Sequence, residues 1–192
     1  MPRKKEIDKR EILKTVEGQF SVEESYFSLD MKKIAKMCDM SIGTLYKYYP
    51  TKDDLVNDLL IRQLKKELAY TDILRGRYEE VSRALSLLQN NIYLSSQYYE
   101  GAIFYVYLKD RFSKFGEYFN ELYKYVYMLL NEAGGKGQIK RNIDKKEISH
   151  LIVWNILIGC LPHTTKEQAT KHYLTFIDSL GIFQSQQEAI AV

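Results

Sequence analysis

Twenty-two residues, Met31 to Lys52 (MKKIAKMCDMSIGTLYKYYPTK), restrict this chain more than any other stretch. Met31, Ile34, Ala35 and Cys38 recur at helical spacing, so a first short helix has one apolar face. Asp30 stands just ahead of it, where a short acceptor side chain takes the free amides of a first turn. Cys38-Asp39-Met40-Ser41 interrupts the pattern, and Ser41 is placed to cap a second helix reaching about Lys47. Two short helices joined by so tight a turn form a helix-turn-helix, whose second helix enters the major groove of DNA.

The residue types on that second helix suit a duplex. Ser41 and Thr44 carry small hydroxyls, Gly43 lets backbone approach a phosphate, and Tyr46, Lys47 and Tyr48 offer one charge and two phenols. Leu45 and Tyr49 are read as pointing inward. Thr51 caps a further helix with Asp54 as its returning acid. Lys52 then lies at a helix start, where its charge opposes the dipole unless an anion is present. The residues expected to face DNA are Met31, Lys32, Ser41, Ile42, Gly43, Thr44, Tyr46, Lys47, Tyr48 and Lys52.

The run S-I-G-T-L-Y-K-Y-Y-P-T-K-D-D-L, preceded by Ile34-Ala35, resembles the TetR family of bacterial transcriptional regulators. The family pattern is I-A-x-x-A-G-V-S-x-G-T-L-Y-x-Y-F-x-S-K-x-x-L, and its spacing is kept. The resemblance covers roughly residues 6 to 60. Two departures stand out. The stretch SVEESYFSL after Phe20 lacks the glycine that usually ends helix one. Asp39 replaces the glycine of the turn, and Asp tolerates the left-handed region better than most residues.

The chain has 192 residues and a net charge of +3, with 45% hydrophobic and 28% charged residues, so it can bury a core and is not disordered. Residues 1–52 hold 11 Lys or Arg against 8 Asp or Glu, while the remainder holds 17 of each. A basic end on a neutral body fits phosphate contacts. Two cysteines, Cys38 and Cys160, give no disulfide framework and favour a reducing cytoplasm. No apolar run is long enough to span a membrane, and no signal peptide follows the basic start PRKKEIDKR.

The expected fold is all-α. Residues 1–52 would form a three-helix DNA-binding domain, with a basic arm (Arg3, Lys4, Lys5) and helix one over about Glu6 to Phe20. Residues 53–192 would form a helical domain for effector binding and dimerisation. The periodicity predicts helices over 53–70, 79–97, 102–114 and 117–133, the last ended by Gly134-Gly135 in left-handed geometry. Asp144 with Glu147, and Thr165 with Gln168, open the last two helices, and the final one stops at Leu180-Gly181.

Nine tyrosines and four phenylalanines fall between Tyr93 and Tyr127. Such a cluster gives apolar walls with polar tips, suited to a small-molecule cavity or to an aromatic core. The family resemblance implies an effector pocket here, whose filling reorients helix four and moves the recognition helices apart. Tyr93, Phe104, Tyr123, Tyr127 and Trp154 are the candidate lining, for a neutral or aromatic compound. The last two helices are apolar nearly all round, which implies burial on more than one side. By resemblance they pair with their copies, through Leu151, Trp154, Ile158, Tyr173, Phe176, Ile177 and Leu180.

The partners expected are therefore a palindromic double-stranded operator, a small effector and a second copy of the chain, with repression favoured by the resemblance. No cofactor and no metal are expected. Cys160, His163 and His172 have neither zinc spacing nor an orienting carboxylate, so an enzyme is disfavoured. The alternative is a DNA-binding regulator without small-molecule control, partnered by protein or architectural.

Overall fold

The computed structural model describes residues 8–20, 30–76, 80–98, 115–161 and 164–184. The described residues form eight helices: α1 (Lys9–Phe20), α2 (Met31–Met37), α3 (Ile42–Tyr48), α4 (Lys52–Arg75), α5 (Val81–Tyr98), α6 (Phe115–Gly135), α7 (Lys145–Gly159) and α8 (Lys166–Leu180). The basic arm at residues 3–5, the loop after Phe20 and the helix expected over 102–114 lie outside the described residues.

Local chemistry sets most of the boundaries. Asp30, Ser41, Thr51, Asp144 and Thr165 each accept a first-turn amide of the helix they precede. Thr51–Asp54 and Thr165–Gln168 are complete capping boxes. Gly181, at φ 55, ends α8 in the left-handed region as expected. Gly134 and Gly135 are the last two residues of α6 but are not left-handed, and the left-handed residue is Gly137, at φ 66. Gly134 serves another purpose. Lys145 crosses it to reach Asn131 at 3.2 Å, and a Cβ there would stand 2.6 Å from the Lys145 ammonium.

Two groups of helices share α4. Its first half joins α1–α3 through a core that includes Ile12, Val16, Ile34, Leu45, Tyr49, Leu55 and Leu59, each at most 2% exposed. Each such fully buried side chain is worth about 1.5–3 kcal/mol. Ion pairs flank this seam. Lys9 meets Asp58 at 3.6 Å, and Glu17 takes both Arg62, at 3.2 Å, and Lys66. The second half lies along α5 and α6. It runs five residues beyond the expected end at residue 70, because nothing in Thr71–Arg75 breaks a helix and partners hold that stretch. A boundary at 52/53 therefore falls in the first turn of one continuous helix.

The connection 136–144 ties up the far end. Gln138 accepts the free Val81 amide at the start of α5, at 3.0 Å. Its own backbone carbonyl accepts from the Gln184 amide at 3.0 Å, beside the Ile139–Phe183 antiparallel bridge, so the segment after α8 is held in place.

Candidate nucleic-acid interface

The turn between α2 and α3 is a Schellman motif. Met40 N–H donates to the Ala35 carbonyl at 2.9 Å, and Asp39 N–H to that of Lys36 at 3.1 Å. That arrangement requires a left-handed residue, and Asp39 supplies it at φ 50. Asp39 is thus able to stand where the family pattern has glycine. Ser41 then starts α3, its hydroxyl accepting from the Thr44 amide at 3.1 Å and lying 2.8 Å from the Thr44 hydroxyl.

Leu45 and Tyr49, at 0% and 1% exposure, fix which face of α3 turns inward. The opposite face carries Ser41, Gly43, Tyr46 and Lys47, all exposed, with Ile42, Thr44 and Tyr48 half-buried at its edges. Nothing stands within 3.9 Å of a Cβ built at Gly43, so that face is open to close approach. Lys32 and Lys36 are exposed on α2 and line a shallow groove with Asp39, Met40 and Ile42. Lys52 sits half-buried in the first turn of α4. Met31 is a correction as to its side chain, which is in the core at 7% exposure because the apolar face of α2 begins with it.

Cys38 is buried beneath this surface. Burial pushes its thiol up, against a smaller opposing effect of a bond with Thr15, so it is protonated near neutrality and packs as a small apolar group.

The sequence of residues 22–59 matches the model of the bacterial regulatory proteins of the tetR family. The chain shares its fold with solved regulators of that family. A TetR-family regulator from Pectobacterium atrosepticum is 14% identical, with 92% of this chain and 94% of that one covered, at a TM-score of 0.67. One from Rhodococcus sp. is 15% identical, with 89% and 96% covered, at 0.66.

Residues 22–59 are thus a segment of the tetR type. FadR from Bacillus subtilis, solved in complex with stearoyl-CoA, is 18% identical over 90% of this chain and 97% of that one, at a TM-score of 0.63. No curated protein matches the sequence. These solved proteins of the same fold are transcriptional regulators.

The aromatic residues expected to act as a group are divided. Tyr93 is buried on α5 and donates to the Thr164 carbonyl at 2.9 Å, towards the α7–α8 corner. Tyr123 and Tyr127 stack at 6.0 Å on α6; Tyr123 also stacks on His150 of α7 at 4.3 Å, and Trp154 meets Phe119 at 5.2 Å. These rings form a half-exposed row along α6 and α7. Periodicity could not separate the two locations, because both use the same residue types on adjacent helices. Phe104 lies outside the described residues.

The dimer candidates divide as well. Leu151, Trp154 and Ile158 are 39%, 45% and 52% exposed, and Leu161 is 41% exposed. Leu174 on α8 is 45% exposed, while Phe176, Ile177 and Leu180 are half-buried. Tyr173 is a second correction. At 1% exposure it packs inside the subunit beside Ala169, which itself meets Gly159 of α7. Among the described residues no helix is long and apolar enough to cross a membrane, and no group of three His, Cys, Asp or Glu could hold a metal.

Proposed function

We propose that this chain is a transcriptional regulator that binds a palindromic DNA operator as a homodimer, represses transcription, and is released by a small hydrophobic or aromatic effector. The observation that carries the reading is the face of α3. Ser41, Gly43, Tyr46 and Lys47 stand outward from a helix that Leu45 and Tyr49 anchor in the core. Lys32, Lys36 and Lys52 flank it as phosphate contacts, and base edges fall to Thr44, Tyr46 and Tyr48. Residues 1–52 then form the reading domain, and 53–192 the effector and dimer domain.

A second copy suits the outer stripe of α7. Leu151, Trp154, Ile158 and Leu161 follow a 3-4-3 spacing, the seam on which helices pair. Pairing would place two recognition helices about 34–36 Å apart. An apolar effector fits the concentration of tyrosine and phenylalanine around α5 and α6, and the stearoyl-CoA bound by FadR is an example of such a molecule in this fold.

Selection from a random pool of duplexes tests the reading. The intact protein should enrich an inverted repeat, and Thr44→Ala and Tyr46→Ala should weaken binding to it while leaving the helical circular dichroism signal unchanged. Lys52→Ala should weaken binding to all duplexes alike and reduce the salt slope by about one. Variants that fold and bind the enriched duplex as tightly as the parent would falsify the assignment.

A further inference from the structure

α4 is attached in two chemically different ways. Near α1–α3 it is fixed by an apolar core, while its last turn meets α5 and α6 through hydrogen bonds and charges. The Asn91 amide of α5 donates to the Thr71 hydroxyl at 3.1 Å, where Thr71 is fully buried and Asn91 is 7% exposed. The Tyr125 phenol of α6 donates to the Asp72 carboxylate at 2.8 Å. Arg75 donates to the same Asp72 oxygen at 2.7 Å and also pairs with Glu132 of α6, which Lys136 holds at 2.7 Å.

All these links fall within residues 71–75, at the opposite end of α4 from the recognition helix. Three residues, Tyr49 to Thr51, join α3 to α4, and they are stiff: Tyr49 is buried, Pro50 has a fixed φ, and Thr51 is locked in a capping box. A tilt of α4 is therefore carried into α3. The distance from Lys52 to Thr71 is about 28 Å at 1.5 Å per residue, so a small rotation at one end becomes a displacement of several ångströms at the other.

We infer that Asn91, Tyr125, Arg75 and Glu132 are positioning residues for DNA recognition, a polar clamp on the far end of α4 that holds α3 at the angle a specific site demands. Hydrogen bonds with strict geometry define one angle, whereas an apolar contact of similar area tolerates sliding. The clamp spans the helices on which the aromatic row and Tyr93 lie, so it is placed to respond to what binds there. This inference rests on the operator-binding reading above.

The test uses the full chain and two probes: the duplex enriched from a random pool by the parent protein, and poly(dI-dC). Tyr125→Phe and Glu132→Gln each remove clamp bonds with little change in shape. Each should weaken binding to the enriched duplex by about 5- to 150-fold, the span of typical coupling between sites. Binding to poly(dI-dC) should not change, since it asks for no fixed angle. Arg75→Met should behave likewise, and Arg75→Lys, which keeps a cation near both acids, should recover most of the loss. Affinity for the enriched duplex within twofold of the parent, or tighter, in both Tyr125→Phe and Glu132→Gln would overturn the clamp. So would a loss on both probes that follows a fall in melting temperature. A parent protein that enriches no duplex sinks the operator reading itself and the clamp with it.

Discussion

The Lys9 ammonium stands 4.7 Å from the centre of the Tyr49 ring while reaching Asp58 at 3.6 Å. One side chain of α1 thus touches both the residue that closes α3 and the helix that follows. Lys9→Met keeps the aliphatic stem and removes the charge from both contacts. At so exposed a site the loss should be about 0.5–1 kcal/mol of unfolding free energy, measured in urea. Added salt should shrink the difference between the two proteins.

Tyr173 buries a hydroxyl that has no hydrogen-bond partner, whereas the Tyr49 hydroxyl faces the Asp58 carboxylate. Burial first, and then the nearby Asp58 carboxylate, push the Tyr49 phenol up. Burial alone raises that of Tyr173. An unpaired buried hydroxyl costs about 1–3 kcal/mol, so Tyr173→Phe should leave stability unchanged or raise it. Tyr173→Ala should lower it by about 3–5 kcal/mol through the cavity left behind. Thermal unfolding of the two variants decides, and a Tyr173→Phe protein that melts much lower would mean that its hydroxyl is paired after all.

Asp39 occupies the left-handed corner of the helix-turn-helix. Asp39→Gly should stabilise the fold slightly, and Asp39→Val should destabilise it by about 1–3 kcal/mol, since a β-branched residue resists that conformation. Chemical denaturation of the pair measures both signs.

Lys136, and then Arg75, hold the Glu132 carboxyl below its usual range although it is partly buried. A depressed folded-state value means that the ionised form stabilises the fold above the ordinary glutamate pKa of about 4.3, and that the contribution disappears as pH falls through the folded value. Melting temperatures of the parent and Glu132→Gln should therefore differ most near neutrality and converge below about pH 4. A gap that stays constant in acid would mean that the pair does not contribute through charge.

Ile158→Glu places a carboxylate in the centre of the exposed stripe on α7. Ile158 is 52% exposed in the single subunit, so folding should survive while pairing of copies is lost. Light scattering should give a dimer for the parent and a monomer for the variant, with a matching loss of affinity for an inverted repeat. Two proteins of equal mass would remove this stripe as the interface.

The reading head was legible in the sequence because its determinants are local. Asp30, Ser41 and Thr51 cap amides two or three residues away, and the Asp39 turn closes over six residues. Contacts at such short separation leave a pattern in the order of the residues, and so do the inward Leu45 and Tyr49. The placement of Met31 belonged to the same pattern, since it begins the apolar face of α2.

Tertiary structure decided the rest, for a physical reason. Asn91 meets Thr71 across 20 residues, and Tyr125 meets Asp72 across 53. Nothing in either segment alone marks which polar side chain will find the other, since an exposed tyrosine and a clamping one look alike in sequence. The resemblance likewise implied Tyr173 at an interface, and only the packing of α8 on α5 and α7 turned it inward and its neighbour Leu174 to solvent. Order along the chain fixes what a residue does within its own turn of helix; which neighbour it meets across the fold depends on how whole helices pack.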